Sequence, residues 1–151
     1  MPQIEMISTA DLAPYKSNPK QHTTTQVGLI AKSIQEFGFI APVIIDADNT
    51  ILAGHGRVMA AELLKMDEVP CVRFDHLTEA QRRAYVLADN RLTELGDWDL
   101  KLVETELKLL SEDEFDLELT GFGDDDLSLG DDEKTEQMPK TKECPACGHV
   151  W

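Results

Sequence analysis

Apolar residues recur at helical spacing in four stretches of the chain, and each stretch predicts an amphipathic helix. Capping-box pairs, Thr23 with Gln26 and Thr78 with Gln81, mark the starts of the first and third helices, and Asp97 is the expected cap of the fourth. The predicted apolar faces consist of Val27, Ile30, Ile34 and Phe37; of Val58, Ala61 and Leu64; of Ala84, Tyr85, Ala88 and Leu92; and of Leu100, Val103, Leu107 and Leu110.

Three short β-branched runs, "PVIID", "TILAG" and "PCVRF", lie between these helices. The first two flank Asp46, Ala47, Asp48 and Asn49, a composition that favours a hairpin turn more strongly than a cation site. The order of elements predicts an α/β (α+β) fold with a small mixed sheet and helices packed around it. The order of strands in that sheet does not follow from the sequence.

Charge is distributed unevenly over the 151 residues. Residues 1–95 hold 9 Lys and Arg against 12 Asp and Glu, whereas residues 96–151 hold 5 against 17, so the net charge of −15 divides into −3 and −12. We therefore expect a folded domain over 1–95, a helical and acidic extension over 96–130, a linker over 131–143 and a short tail over 144–151. Without a long apolar segment or a signal-like N-terminus, the expectation is a cytoplasmic protein with no membrane contact.

The stretch "TILAGHGRVMAAELLKM" places Gly54, His55, Gly56 and Arg57 between a strand and a helix. Glycines allow close approach of a ligand to the backbone, and a helix N-terminus attracts anions such as phosphate. Arg57, expected at the first helical position, would add a charge-assisted contact. A tight turn with Arg57 in solvent is the alternative, of about equal weight on these grounds alone.

The order of five motifs favours a phosphate-binding site over a purely structural turn. "NPK" at 18–20, "SIQEFGF", "PVIID", "TILAGHGRVMAAELLKMDEVPCV" and "LADNRL" together resemble the ParB/sulfiredoxin-like superfamily. With "LTEAQRRAYVLADNRL", the chain is most similar to ParB-like domains of phages and prophages, which are often found ahead of DNA methyltransferase domains. The resemblance covers roughly residues 5–95.

The resemblance implies a nucleotide site. Gly54, Gly56 and Arg57 stand where ParB proteins that bind CTP have their triphosphate-binding box. Asn18 and Lys20 stand in place of the Asn-Pro-Arg turn near the nucleotide, with lysine replacing arginine and losing the bidentate fork. CTP or ATP with Mg²⁺ is the implied cofactor.

Asp89 and Asn90 stand in place of the Glu-Asn pair that handles magnesium and hydrolysis in the family. His55 takes the place of a glutamate in many ParB boxes and of the reactive cysteine in sulfiredoxins, so sulfinic-acid reduction is not expected. His55 is a candidate both for donating a hydrogen bond to phosphate and, with Asp89, for acid–base catalysis; an exposed turn histidine is the alternative. No helix-turn-helix pattern follows residue 95, so partition of chromosomes is not expected, and no methyltransferase motif occurs.

Among the remaining residues, Arg82 and Arg83 fit a solvated helix face better than a nucleic-acid contact, and Trp98 with Leu102 fits a core better than a base-stacking platform. The C-terminal "CPACGH" offers Cys144 and Cys147 as zinc ligands. A site completed by a second chain, a remnant of a zinc ribbon and a redox-sensitive thiol pair all remain open.

Three functions follow as hypotheses. The first is a nucleotide-binding module for phage or prophage DNA transactions such as DNA modification, which works through DNA or a methyltransferase or packaging partner and forms, by expectation, a homodimer. The second is a metal-dependent enzyme, such as a ParB-like nuclease, a nucleotide-dependent kinase or an NTPase. The third is a protein-interaction module that uses the acidic tail.

Overall fold

The computed structural model describes residues 2–123 and residue 126. Residues 1–121 form one unit and residues 122–151 a second. The elements of the first unit are β1 (Ile4–Ser8), α1 (Thr24–Phe37), β2 (Val43–Ile45), β3 (Ile51–Ala53), α2 (His55–Leu63), β4 (Glu68–Arg73), α3 (Glu79–Glu94) and α4 (Leu100–Glu112), with short 3-10 turns at Thr9–Asp11 and Leu117–Thr120.

The four strands form one mixed sheet in the order β1-β4-β2-β3, which confirms the predicted fold class. β1 pairs with β4 and β2 pairs with β3 in antiparallel fashion, whereas β2 and β4 run parallel. The sequence did not predict β1. Its alternation of exposed and half-buried residues follows from its place at the edge of the sheet, where Ile4 and Met6 remain exposed.

The core lies between the sheet and α2. The buried side chains that form its main cluster are Val43, Ile45, Ile51, Val58, Ala61, Val69 and Cys71. A second cluster joins α1 to α2 through Val27, Ala31 and Ala60. β2 and β3 are buried along most of their length, which explains their continuous apolar sequence.

The turn between β2 and β3 is organised by a buried carboxylate. Asp46 Oδ1 accepts the backbone N–H groups of Asp48 and Thr50 at 2.9 and 2.8 Å, and Asn49 adopts a left-handed φ of 61°. This arrangement confirms the predicted turn chemistry, because Asx side chains replace missing backbone partners.

The caps of α1 and α3 agree with the sequence pattern, whereas the cap of α4 differs. Thr78 and Gln81 form the full capping box of α3, and Thr23 caps α1 by accepting the Gln26 N–H. The predicted cap at Asp97 is wrong: Asp99 accepts the first N–H groups of α4, which begins three residues later than Asp97. Two acidic residues flanked Trp98, and only the second lies within reach of those N–H groups.

The α3–α4 connection is exposed. Trp98 and Leu102, which were predicted to belong to the core, are 70% and 64% exposed. Leu107 is the buried residue of α4, so its apolar face is only partly covered by the described residues. No helix among the described residues is long and apolar enough to cross a membrane.

Candidate functional site

Four parts of the chain line one cavity of about 160 Å³ at the N-terminus of α2. They contribute Asn18 and His22 from the segment before α1, Ile30 from α1, residues 53–57 from the β3–α2 corner, and Asp89 with Asn90 from α3. Of the residues that the sequence singled out as site candidates within the described part, all except Lys20 therefore line a common space. This meeting of motifs makes the cavity the candidate site.

The two glycines of the corner are required by its geometry. Gly54 caps α2 in a left-handed conformation with φ of 102°, and a Cβ there would meet the Arg57 side chain at 2.9 Å. A Cβ on Gly56 would lie 3.0 Å from Ile30 Cδ1 and 3.1 Å from the His22 ring. The helix begins at His55, so the prediction that Arg57 occupies the first helical position is wrong by two residues, because Gly54 and not Gly56 makes the turn.

Arg57 folds back over Gly54 and donates from Nη2 to the Pro42 carbonyl at 3.2 Å. Its Nε is buried and has no hydrogen-bond partner among the described residues. Burial lowers the pKa of Arg57, and the charges of Asp89 and Tyr85 offset this only in part. The guanidinium is thus held in the wall of the cavity with its hydrogen-bonding capacity incompletely used.

His55 is half-buried, and its Nε2 accepts the Tyr15 N–H at 3.2 Å. Burial lowers the pKa of His55, and the nearby His22 lowers it further. The first position of a helix also disfavours a cationic imidazole because of the helix dipole. The ring is therefore neutral near pH 7, with the Nδ1–H tautomer assigned from the bond that Nε2 accepts.

Asn18 and Lys20 have different positions. Asn18 lines the cavity, and its Oδ1 accepts the Lys20 N–H at 3.1 Å. The Lys20 ammonium points instead to Glu94 on α3, with an Nζ–Oε1 distance of 2.6 Å. Lys20 therefore connects this segment to α3 and does not line the cavity.

Asp89 and Asn90 present oxygen atoms from one turn of α3. Tyr85 donates to Asp89 Oδ1 at 3.4 Å, and Asn90 Nδ2 donates to the Val86 carbonyl at 2.9 Å, which leaves the amide oxygen for another partner. Burial raises the pKa of Tyr85, with a further contribution from Asp89. No group of three or more His, Cys, Asp or Glu side chains suited to a metal occurs among residues 2–123 and 126.

Sequence reasoning missed His22. This histidine directly precedes the cap of α1, and its Nδ1 lies 3.0 Å from Gln26 Oε1. A histidine next to a cap residue was the available signal. That position is usually exposed, and only the packing of α1 against α2 brings the ring to the cavity.

A larger and more apolar cavity of about 390 Å³ adjoins the first one. Ile30 and Arg57 line both cavities. The remaining walls come from the C-terminal half of α1, residues 38–41 and residues 119–121. The site therefore has a polar part at the helix N-terminus and an apolar part beside it.

Arg82 and Arg83 lie outside both cavities. Arg82 binds the buried carboxylate of Asp46 at 2.7 Å, and also Glu79, whereas Arg83 is exposed and pairs with Glu79. The solvated-face interpretation holds for Arg83 but is wrong for Arg82, because the fold places a buried acid from a distant turn beside it. The predicted zinc ligands Cys144 and Cys147, the linker over 131–143 and residues 124, 125 and 127–130 of the acidic extension lie outside the described residues.

Comparison with known proteins gives a consistent family. The family model for the ParB N-terminal domain matches residues 1–91. The ParB-like nuclease domain-containing protein YnaK of Escherichia coli (strain K12) is 49% identical over 73 residues, which cover 48% of this chain and 84% of that protein.

Solved structures add the fold. The C-terminally truncated chromosome-partitioning protein ParB from Caulobacter crescentus, complexed with CTP-γ-S, aligns with a TM-score of 0.63 and 19% identity over 74% of this chain. The alignment spans 64% of that ParB chain. Sulfiredoxin from Arabidopsis thaliana aligns with a TM-score of 0.48 and 17% identity over 56% of this chain and 98% of that one.

Proposed function

The chain belongs to the ParB N-terminal domain family, and on that premise we propose that it binds a nucleoside triphosphate, CTP or ATP, with Mg²⁺ at the cavity of α2. The observation that carries the proposal is the convergence of Asn18, the corner at residues 54–57 and the Asp89–Asn90 pair on one space. These residues lie 30 or more positions apart along the chain. A merely structural turn would not require them to meet.

The polar part of the site suits a phosphate chain. The N–H groups of the first turn of α2 have no partner within the helix, and the helix dipole favours an anion at this end. Glycines at 54 and 56 allow the side chains of Arg57, Ile30 and His22 to lie close against the backbone at this end. Arg57, with its unpartnered Nε and its lowered pKa, gains most from an anion that supplies a counter-charge.

The apolar part suits a nucleobase. Since Ile30 and Arg57 line both cavities, a ligand can extend from the helix N-terminus past these side chains into the larger space. That space of about 390 Å³ is lined mainly by Leu29, Ile34, Phe37, Phe39 and Ile40. Pockets of this size and character bind planar apolar groups through burial and a few polar contacts.

Magnesium fits the Asp89–Asn90 pair when phosphates are present. Mg²⁺ prefers oxygen ligands and is commonly held by one or two protein groups together with phosphate oxygens and water. Two ligands on α3 are too few for a metal site on their own. We therefore expect the ion to bind with the nucleotide and not before it.

The Caulobacter crescentus ParB, whose fold this chain shares, was solved with a CTP analogue, which supports CTP as the first nucleotide to test. The motif order, which is similar to that of phage and prophage domains found ahead of DNA methyltransferases, supports a role in DNA transactions such as DNA modification. In that role the nucleotide-bound domain would contact DNA or a partner protein.

The test is titration calorimetry of the full chain with CTP, ATP and GTP, each with Mg²⁺. Binding of one nucleotide is expected, with about a 100-fold loss in Arg57→Ala, because a charge-assisted contact to phosphate is removed. Arg83→Ala is the matched control, since Arg83 is exposed and is not among the residues that line the cavity. Absence of binding by all three nucleotides would reject the proposal.

A metal-dependent nuclease is the second candidate, and the name of the Escherichia coli relative favours it. His55 and Asp89 would be its catalytic residues. The test is cleavage of single- and double-stranded DNA with Mg²⁺ or Mn²⁺, comparing the wild-type protein with Asp89→Ala. Cleavage that survives this substitution would exclude Asp89 as a metal ligand and remove the site-based support for this candidate.

A further inference from the structure

His55 forms a hydrogen bond that joins two parts of the site. It is the first residue of α2, and its Nε2 accepts the N–H of Tyr15, 40 residues earlier in the chain. An imidazole nitrogen accepts a hydrogen bond only when it carries no proton. The contact therefore exists in the neutral ring and is lost in the imidazolium.

Residues 15–20 continue this connection as far as α3. The Tyr15 carbonyl accepts the Asn18 N–H at 3.0 Å, and Asn18 Oδ1 accepts the Lys20 N–H at 3.1 Å. Lys20 Nζ then pairs with Glu94 Oε1 at 2.6 Å. One series of short contacts thus runs from the N-terminus of α2 to the C-terminal end of α3, with Asn18 in the cavity at its middle.

Polar contacts contribute to the position of α3. Of the 16 residues of this helix, Val86 is the one that is buried. Near its N-terminus Arg82 binds Asp46, and near its C-terminus Glu94 binds Lys20. Because Asp89 and Asn90 belong to the C-terminal half of α3, the contact through residues 15–20 helps to hold them at the cavity.

We propose that His55 is a positioning residue: by accepting the Tyr15 N–H, its neutral ring holds residues 15–20 between α2 and α3. Protonation of the ring in acid breaks this hydrogen bond and thereby weakens nucleotide binding. The inference rests on the proposed nucleotide site and assigns His55 a role other than catalysis. The ring holds Asn18, Asp89 and Asn90 in place by accepting a hydrogen bond, and it transfers no proton to a ligand.

The direction of the pH effect separates this role from direct phosphate binding. An imidazolium that touched phosphate would bind it more strongly in acid. If the ring only positions residues 15–20, nucleotide binding should instead weaken in acid.

The charged or titratable groups that share the cavity with His55 are His22 from the segment before α1, Arg57 from α2 and Asp89 from α3. Their effects, and those of the phosphates, are common to a wild-type protein and a His55 variant measured side by side.

The experiment compares wild type, His55→Gln and His55→Leu by calorimetry with Mg²⁺ and CTP at about pH 8 and about pH 5.5, either side of the ordinary imidazole pKa. Glutamine offers an acceptor oxygen that does not titrate, whereas leucine offers none. At the higher pH we expect His55→Gln to bind within about threefold of wild type and His55→Leu to bind about tenfold more weakly. On acidification, wild type should lose more affinity than His55→Gln, by less than about tenfold because the pKa of His55 lies below its ordinary value.

Hydrogen exchange of the Tyr15 amide in the protein without nucleotide provides the second measurement. His55→Leu should speed this exchange and His55→Gln should restore it, whether or not any nucleotide binds. If the wild-type protein binds no nucleotide, only the proposed function is rejected. The exchange data would still show whether the His55–Tyr15 hydrogen bond holds residues 15–20 in place. Equal Tyr15 exchange in all three proteins, or affinity that rises in acid only when His55 is present, would overturn the inference.

Discussion

Two arginines of this domain are both partly buried, and they differ in what surrounds them. Arg82 pairs with Asp46 and Glu79 at 2.7 Å each, and these carboxylates raise its pKa. Arg57 has the Pro42 carbonyl as its assigned acceptor among the described residues, and burial lowers its pKa. The fold thus supplies carboxylate partners for Arg82, whereas Arg57 has none within ion-pair distance among the described residues.

The difference distinguishes a structural site from a binding site. Asp46 is 4% exposed and receives two backbone N–H groups besides Arg82, so its carboxylate is fully paired. Arg82 Nε, like Arg57 Nε, is buried without a hydrogen-bond partner among the described residues, so the two sites differ in their carboxylate partners and not in this atom. The corner at residues 54–57 instead combines the N–H groups of a helix N-terminus with a guanidinium that has no carboxylate within ion-pair distance among the described residues, and Asp89 offsets its lowered pKa only in part. Such a site becomes fully satisfied only when an anion binds.

The largest effect on stability is expected at Asp46, whose carboxylate is fully hydrogen-bonded. Asp46→Ala removes the partners of Arg82 and of two backbone N–H groups, and should lower the free energy of unfolding by about 3 kcal/mol. Urea denaturation measures this loss. Asp48→Ala, in the same turn but with an exposed side chain, should change it by less than about 0.5 kcal/mol. Equal effects of the two substitutions would show that the carboxylate of Asp46 does not organise the turn.

The opposite pattern is expected for Arg57. Arg57→Met keeps most of the side-chain volume and removes a buried charge, so the stability of the nucleotide-free protein should stay within about 0.5 kcal/mol of wild type or rise. Stabilisation by excess nucleotide, about 2.7 kcal/mol at one hundred times Kd, should disappear. Thermal unfolding with and without Mg²⁺ and CTP measures both. A marked fall in stability without nucleotide would mean that Arg57 has a mainly structural role.

Acid provides a smaller test of the satisfied site. Burial alone would raise the pKa of Asp46, but the hydrogen bonds from Thr50, Asp48 and Arg82 outweigh it and leave the pKa below its ordinary value of 3.8. Its contribution to stability is therefore complete above about pH 4 and is lost as the pH falls through the lower folded-state pKa. In Asp46→Asn the stability should depend less on pH in that range. Asp48→Asn should follow wild type.

The smallest effect is expected for the ion pair of Lys20 and Glu94, which is partly exposed. Lys20→Met should weaken nucleotide binding by no more than about threefold, since exposed pairs contribute little and salt screens them. Calorimetry at low and high salt measures this. A loss as large as that of Arg57→Ala would indicate that Lys20 contacts the nucleotide directly, as the family resemblance implied.

The sequence was most informative where the determinants are local. Capping residues Thr23 and Thr78 marked two helix starts correctly, because a cap depends on side chains within three residues. The start of α2 was misplaced by two residues, since either glycine fits a turn, and in the folded chain Gly54 adopts the left-handed φ of 102° whereas Gly56 lies within the helix. Trp98 and Leu102 are apolar, but the described structure brings no core to cover them.

By itself, the sequence determined the helices and three of the four strands, the hairpin turn, and a set of site candidates that an ordered series of motifs marked out. Only the tertiary structure determined which of these candidates meet. It brought His22 to the cavity, directed Lys20 to Glu94, and used His55 as an acceptor for Tyr15. The physical reason is that helix and turn preferences act over a few residues, whereas burial, charge pairing and cavity formation depend on segments that approach each other only in the folded chain.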